Sequence, residues 1–380
     1  MKKALLTASV QHHFNAFHFP FIDMLHENGY SVEIAAHDVM GGECRESLEA
    51  KTDKIHDVVF ERSPFDPKNR IAYAQLKRII EENDYDMINC NTPVASIITR
   101  LAARKSRKKG TKVIYTAHGL HFYKGAPLLN WLIFYPIEKV IGRLFTDCTV
   151  TICDEDEANA KKFKLCKNIR RIHGVGADSL RFSPCTDEQK NAIRESYGFD
   201  KSCKICLCTG ELNENKNQQM FIKALPKVVE SYPDFKLLLA GVGDNEENLR
   251  TLAKELGVEE NVVFLGFRTD IDKLVKTADF IVSGSYREGL PVNIIEGMLS
   301  AKPAVVSHNR GHNELVEDGV SGIFVPFDDI SKVEQAFITL CSDDALCSEM
   351  GRAAYKRSEK YSSQSVEKEL RKIYNEIVFN

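Results

Sequence analysis

No apolar run in the chain approaches the ~18 residues of a membrane-spanning helix, so no segment reads as a transmembrane anchor. A dominant charge is missing too: 51 Lys and Arg face 54 Asp and Glu, a formal net charge of -3 over 380 residues. That balance excludes a general electrostatic grip on nucleic acid and confines any basic surface to local patches. There is a single tryptophan, and neither a short-period repeat nor a low-complexity tract. Cysteine is present in 11 copies, but the number is odd and the spacing follows no disulfide framework, which fits a reducing, cytoplasmic compartment. A secretory leader is not expected either. Residues 4–9 are apolar enough to begin one, yet the run is too short, and Gln11-His-His-Phe-Asn stands where a cleavage site is needed.

Strand-like runs at 3–8, 31–36, 55–60, 87–90, 112–116 and 148–152 alternate with amphipathic stretches near 17–27, 69–83, 94–106 and 128–145. This βαβ rhythm predicts a parallel, doubly wound sheet. It breaks near Arg171-Ile-His-Gly-Val-Gly-Ala-Asp and Phe182-Ser-Pro, where we place a domain boundary. The rhythm resumes with strands at 204–208, 236–240, 262–264, 280–283, 304–307 and 323–325 and helices at 216–231, 245–256, 270–277 and 291–300, followed by three helical stretches from about 329 to 378. The length suits two domains. The expected fold is α/β, with a Rossmann-like domain over 1–178, a second over 179–363, and a helix at about 364–380 that packs back on the first. In such a pair the carboxyl ends of both parallel sheets face an interdomain cleft, where ligands of open α/β sheets bind.

The most restrictive stretch runs from Ser285 to Pro303, behind the apolar run Asp279-Phe-Ile-Val-Ser. Pro291 suits a first helical position, so the pattern reads strand, turn, helix, with Glu288 in the turn and Glu296 on the second helical turn. Free N-H groups over 289–292, together with the positive end of the helix dipole, then form an anion site that includes Gly289 and Leu290 and has a carboxylate on its rim. Lys216, in Thr209-Gly-Glu-Leu-Asn-Glu-Asn-Lys, lies near a strand's carboxyl end and a helix start, where a cation neutralises a diphosphate leaving group. In Tyr115-Thr-Ala-His-Gly-Leu-His, His118 comes directly off a strand, at the cleft rim or as a satisfied core residue.

Ser285-Tyr-Arg-Glu-Gly-Leu-Pro-Val-Asn-Ile-Ile-Glu-Gly-Met resembles the donor-site signature of the family 4 glycosyltransferases, retaining enzymes of the GT-B fold. Lys302-Pro-Ala-Val-Val-Ser, Asn309-Arg-Gly-His-Asn-Glu-Leu-Val and Asp318-Gly-Val-Ser-Gly-Ile-Phe-Val are similar to the segments that follow it there. The resemblance implies that Glu288 touches the donor sugar hydroxyls, Glu296 the ribose hydroxyls of a nucleoside diphosphate sugar, and His118 the reacting centre. Arg268 resembles a position near the base or diphosphate, with a salt-bridged loop residue as the alternative. No cofactor, metal or protein nucleophile is implied.

Two departures stand out. Glu211 occupies a position where many relatives carry Arg, and bulky His12, His13 and Asn15 fill a region that is Gly-rich in many relatives. Ala240-Gly-Val-Gly-Asp lacks the third glycine of a dinucleotide fingerprint, and Cys203, Cys206 and Cys208 share one strand without a second ligand pair, so both read as structural.

Arg104, Lys105, Arg107, Lys108, Lys109 and Lys112 form a local basic run, and Pro127-Leu-Leu-Asn-Trp-Leu-Ile-Phe-Tyr-Pro is an apolar, aromatic stretch that suits core packing or an interfacial contact. The two predict peripheral attachment to the anionic inner face of the plasma membrane. The acceptor implied is a sugar or lipid-linked saccharide of surface-polysaccharide assembly. A sugar-nucleotide epimerase or hydrolase, or a non-catalytic nucleotide-sugar sensor, would use the same architecture.

Overall fold

Residues 4 to 8 carry five uncharged side chains in succession, and all five are buried, as the centre of a parallel sheet covered on both faces demands. They belong to β1 (Lys2–Val10) of the computed structural model, which describes residues 1–39, 41–61 and 63–379. The chain divides into two units, Met1–Val175 with Val366–Asn380, and Gly176–Ser365. In the first, β1 is joined by β2 (Tyr30–His37), β3 (Lys54–Asp57), β4 (Met87–Cys90), β5 (Lys112–Ala117), β6 (Cys148–Thr151) and β7 (Ile169–Arg171) in one parallel sheet of order β3-β2-β1-β4-β5-β6-β7. The second holds β8 (Ile205–Thr209), β9 (Lys236–Ala240), β10 (Val262–Gly266), β11 (Phe280–Ser283), β12 (Ala304–Ser307) and β13 (Gly322–Val325), in the order β10-β9-β8-β11-β12-β13. The strand order of each sheet reverses once, beside β1 in the first unit and β8 in the second, and such switch points are where open α/β sheets bind ligands.

Several local expectations need correction. Residues 12–16, to which the strand and helix pattern assigns no element, are helical: the Gln11 carbonyl accepts from Phe14 N and Asn15 N and starts the helix His12–Phe17. No Gly or Pro interrupts that stretch. The helix expected from 17 to 27 begins instead at Phe19, because Pro20 cannot donate back into a preceding turn. Lys216 lies in a short 3-10 turn, Glu214–Lys216, with Asn213 as its cap, and the following helix starts only at Gln219. Pro291 is the N-cap of Val292–Leu299 rather than its first residue, and it has no N-H to offer an anion.

The apolar stretch resolves into two faces of the helix Leu128–Phe145. Trp131, Phe134 and Tyr135 pack toward fully buried Phe122 and half-buried Phe163, while Leu128, Leu129, Leu132, Val140 and Leu144 remain more than half exposed. The basic run reaches this helix through Arg107, which donates to the Leu144 carbonyl at 3.1 Å and pairs with Asp147 at 2.8 Å. Arg100, just upstream, is fully buried, forks onto Glu138 at 2.7 and 2.8 Å and stacks over Tyr115. Among the described residues no helix is long and apolar enough to cross a membrane.

Candidate active site

In the second unit the side chains of interest come from turns at the carboxyl ends of β8, β10, β11 and β12. After β8, Gly210 adopts φ +137°, and a Cβ there would lie 3.4 Å from Lys216 Cε. That glycine lets Lys216 fold back over the strand end, where its Nζ donates to Glu288 Oε1 at 2.7 Å. The pair is partly buried, with side-chain exposures of 23% and 14%, so it bridges the β8 and β11 turns on either side of the switch point. Asn293, on the helix after Glu288, donates to the Thr209 carbonyl at 2.9 Å and fixes the same two elements together.

The Glu288 turn is clamped from behind by the segment after β12. Asn309 caps the helix Arg310–Leu315 through His312 N, and its amide donates to the Ser285 carbonyl at 2.8 Å. Arg310 Nε donates to the Glu288 carbonyl at 3.0 Å. Gly311 allows this approach, since a Cβ there would fall 2.6 Å from the Gly289 carbonyl oxygen and 2.7 Å from Pro291 Cδ. His312 is fully buried and donates from Nδ1 to the Ser307 carbonyl at 2.7 Å, which leaves Nε2 without a hydrogen-bond partner among the described residues. Burial pulls its pKa down to about 4, so it is a neutral imidazole beside Lys216 and Glu288. Asn309, Arg310 and His312 had no role assigned from the sequence, although the Asn-x-x-His cap was visible there.

The remaining positions lie differently. Glu296 sits on the second turn of its helix, and burial raises its carboxyl pKa to about 7, with Arg181 opposing the shift and Asp272 adding to it. A half-buried carboxylate with no hydrogen bond of its own among the described residues is suited to accept one from a ligand. Leu290 is buried beneath the turn, and Gly289 supplies the carbonyl against which Gly311 packs. Arg268 is committed elsewhere: it forks onto Asp270, which also accepts from Tyr197 OH. Those two partners hold the Asp270 carboxyl well below its ordinary range. Glu211 is exposed, and its carbonyl accepts from Gln218 at 2.9 Å.

In the first unit His118 follows β5, and its Nε2 meets Asn91 Oδ1 at 3.0 Å. Burial drives its pKa down to about 3, helped by neighbouring His18. His13 stacks edge-on against it, with ring centroids 4.6 Å apart.

Two Rossmann-like α/β units fit the GT-B architecture that the sequence resemblance implied, and sequence relatives settle the class. Residues 189–357 match the family described as glycosyl transferases group 1, and residues 4–151 match glycosyl transferase 4-like. The chain belongs to the family 4 glycosyltransferases. It is similar to the putative glycosyltransferase EpsD of Bacillus subtilis, with 38% identity over 98% of this chain and 96% of that protein. It also resembles an Escherichia coli enzyme named UDP-Gal:alpha-D-GlcNAc-diphosphoundecaprenol alpha-1,3-galactosyltransferase, at 23% identity over 73% of this chain and 72% of that one. Among solved structures, Anabaena HepE in complex with UDP shares the fold at a TM-score of 0.79 and 19% identity, covering 99% of this chain and 100% of HepE.

Proposed function

We propose that this glycosyltransferase moves a sugar from a nucleoside diphosphate sugar to a hydroxyl of a lipid-linked saccharide, with retention at the anomeric carbon. The observation that carries the reading is the Lys216–Glu288 contact at the switch point, next to the first turn of Val292–Leu299. A cation and helix-start amides meet the charge that develops on the departing diphosphate, and the adjacent carboxylate accepts hydrogen bonds from sugar hydroxyls. In the free protein Glu288 takes up the Lys216 charge, and a bound diphosphate competes for it. Glu296 accepts from the ribose hydroxyls, and His118, a neutral imidazole, stands at the reacting centre. Catalysis then rests on positioning and leaving-group stabilisation, and no residue of this chain is asked to form a covalent intermediate.

Support for the donor comes from the HepE structures, obtained with UDP, with UDP and glucose, and with UDP-glucose. Support for the acceptor comes from the diphosphoundecaprenol substrate in the name of the Escherichia coli relative. The apolar face of Leu128–Phe145 beside the basic run favours attachment to an anionic membrane, where such an acceptor resides. Exposed Arg104, Lys108 and Lys109 carry the basic part of that surface, because Arg107 and Lys105 are paired with Asp147 and Glu81.

A donor panel tests the reading. Glu296→Gln weakens nucleoside diphosphate binding in calorimetry, whereas Glu288→Gln mainly lowers transfer to lipid-linked acceptors. Unchanged binding and turnover in both variants rejects the assignment. Acceptor-independent epimerisation or release of free sugar points instead to the epimerase or hydrolase, and tight donor binding without transfer to the sensor.

A further inference from the structure

The amino ends of β8, β11 and β12, opposite the donor turns, surround a cavity of about 710 Å³ whose lining residues all belong to the second unit. Lys204 immediately precedes β8, Asp279 precedes β11, and Ser300, Ala301 and Lys302 lead into β12. The helices Asp187–Ser196 and Asp344–Ser358 contribute further wall. Cavities of about 300–1,000 Å³ enclose small-molecule ligands, and no residue placed at the donor turns lines this one.

The wall is cationic in a chain whose formal charge is -3. Lys190, Arg194, Lys201, Lys204, Lys302 and Arg352 stand against Asp187, Asp279 and Asp344, an excess of three positive charges. Two of the carboxylates are taken up by part of this set: Asp279 pairs with Lys190 at 2.5 Å and with Arg194 at 2.9 Å, and Asp344 pairs with Lys204 at 2.5 Å. Lys201, Lys302 and Arg352 are left without a carboxylate partner among the described residues.

Two buried donors on the same wall lack an adequate acceptor. Lys302 is 7% exposed, and its Nζ makes one long contact, 3.4 Å, to the Lys276 carbonyl. Burial lowers its pKa to about 8; Lys190 and Arg194 add to the shift, and Cys185 and Asp279 oppose it. Ser300 is 2% exposed, and its Oγ has no hydrogen-bond partner among the described residues. Between them Ala301 holds φ +55°, a left-handed conformation uncommon outside glycine, and its carbonyl packs on Gly351, where a Cβ would fall 2.2 Å from the oxygen. A buried ammonium beside like charges and a hydroxyl without a partner are the donor types that phosphate oxygens accept from.

We propose that this cavity is a second ligand site, binding a phosphate-bearing small molecule through Lys302 and Ser300 in its depth and Lys201 and Arg352 at its mouth. Arg352 brings a fork of N-H donors and Lys302 a point charge, the two ways in which proteins meet phosphate. Asn191, Ser202 and Ser348 on the same wall suit the hydroxyls of a sugar phosphate. The site stands on the geometry of the second unit alone and does not depend on the transfer reaction proposed above.

The test titrates the full chain with inorganic pyrophosphate and with glucose 6-phosphate in a calorimeter, with glucose as the uncharged control. Saturable 1:1 binding of either phosphate, but not of glucose, persists in Lys216→Gln, which disables the donor turns, and raises the melting midpoint. Lys302→Met and Arg352→Gln each weaken that binding by at least about tenfold, the worth of one charge-assisted hydrogen bond. Arg352→Gln, at an exposed position, decides the matter if the buried Lys302 variant fails to fold. Absence of saturable binding of both phosphates at millimolar concentration, or binding that disappears in Lys216→Gln and equals wild type in Arg352→Gln, overturns the proposal.

Discussion

Replacing Glu296 with Gln should make the free protein more stable in alkali and not in acid. Burial holds this carboxyl at about 7 rather than the ordinary 4.5, so the folded state prefers the protonated form. The cost of ionising it is nearly absent below pH 4.5, grows as pH rises, and is complete above pH 7. At about 1.4 kcal/mol per pH unit the gap corresponds to about 3 kcal/mol at pH 8, against less than about 1 kcal/mol at pH 5. Gln cannot ionise and escapes the cost. Thermal unfolding of wild type and Glu296→Gln at both pH values measures the effect. For a unit of this size, the variant's advantage should be larger at pH 8 by roughly 5–10 °C. Comparing the same two proteins at two pH values cancels any packing difference between Glu and Gln. An advantage that does not change with pH, or a variant less stable at pH 8 than at pH 5 relative to wild type, refutes the assignment. The same carboxylate should make nucleoside diphosphate binding weaken in wild type as pH falls below 7, because ribose hydroxyls donate to its ionised form.

Other perturbations follow from single contacts. Arg100→Met leaves Glu138 buried and unpaired and should cost about 3–5 kcal/mol in denaturant unfolding of the first unit, much of it recovered in the double variant with Glu138→Leu; a loss below about 1 kcal/mol contradicts the buried pair. Gly311→Ala drives a methyl into the Gly289 carbonyl and Pro291, so turnover should drop roughly ten- to hundredfold with a melting temperature close to wild type; wild-type turnover would mean that the Glu288 turn is not held by this contact. Leu129→Asp with Leu132→Asp, or neutralisation of Arg104, Lys108 and Lys109, should reduce sedimentation with anionic vesicles while sparing transfer to a soluble acceptor, and unchanged sedimentation removes the membrane face.

Much of the architecture was legible because buried parallel strands leave uncharged, mostly apolar runs, as in Ala4–Ala8 or Phe280–Ser283. Glu288 and Glu296 were legible for a different reason: a strand, a turn and a helix fix their separation locally. The helix Asp187–Ser196 was missed although Thr186 and Gln189 form a capping box, because its polar composition offers little apolar periodicity. Arg100 borders a basic run, and only the position of Glu138 on a helix 38 residues later explains why it is buried. The meeting of His13, His18 and His118 was beyond local reading. It depends on β1 and β5 both flanking β4, an order that strand patterns do not encode.

The first unit is interrupted in the chain by the whole of the second, since residues 366–380 belong to it. Among them is Tyr374, a fully buried ring whose hydroxyl accepts from Asn89, the neighbour that orients Asn91 and through it two histidines. On the ribosome, then, the N-terminal sheet emerges first yet waits for about 190 further residues before its last wedge arrives. The second unit can close on itself during that interval, and the histidine turn acquires its final support only after both have been synthesised.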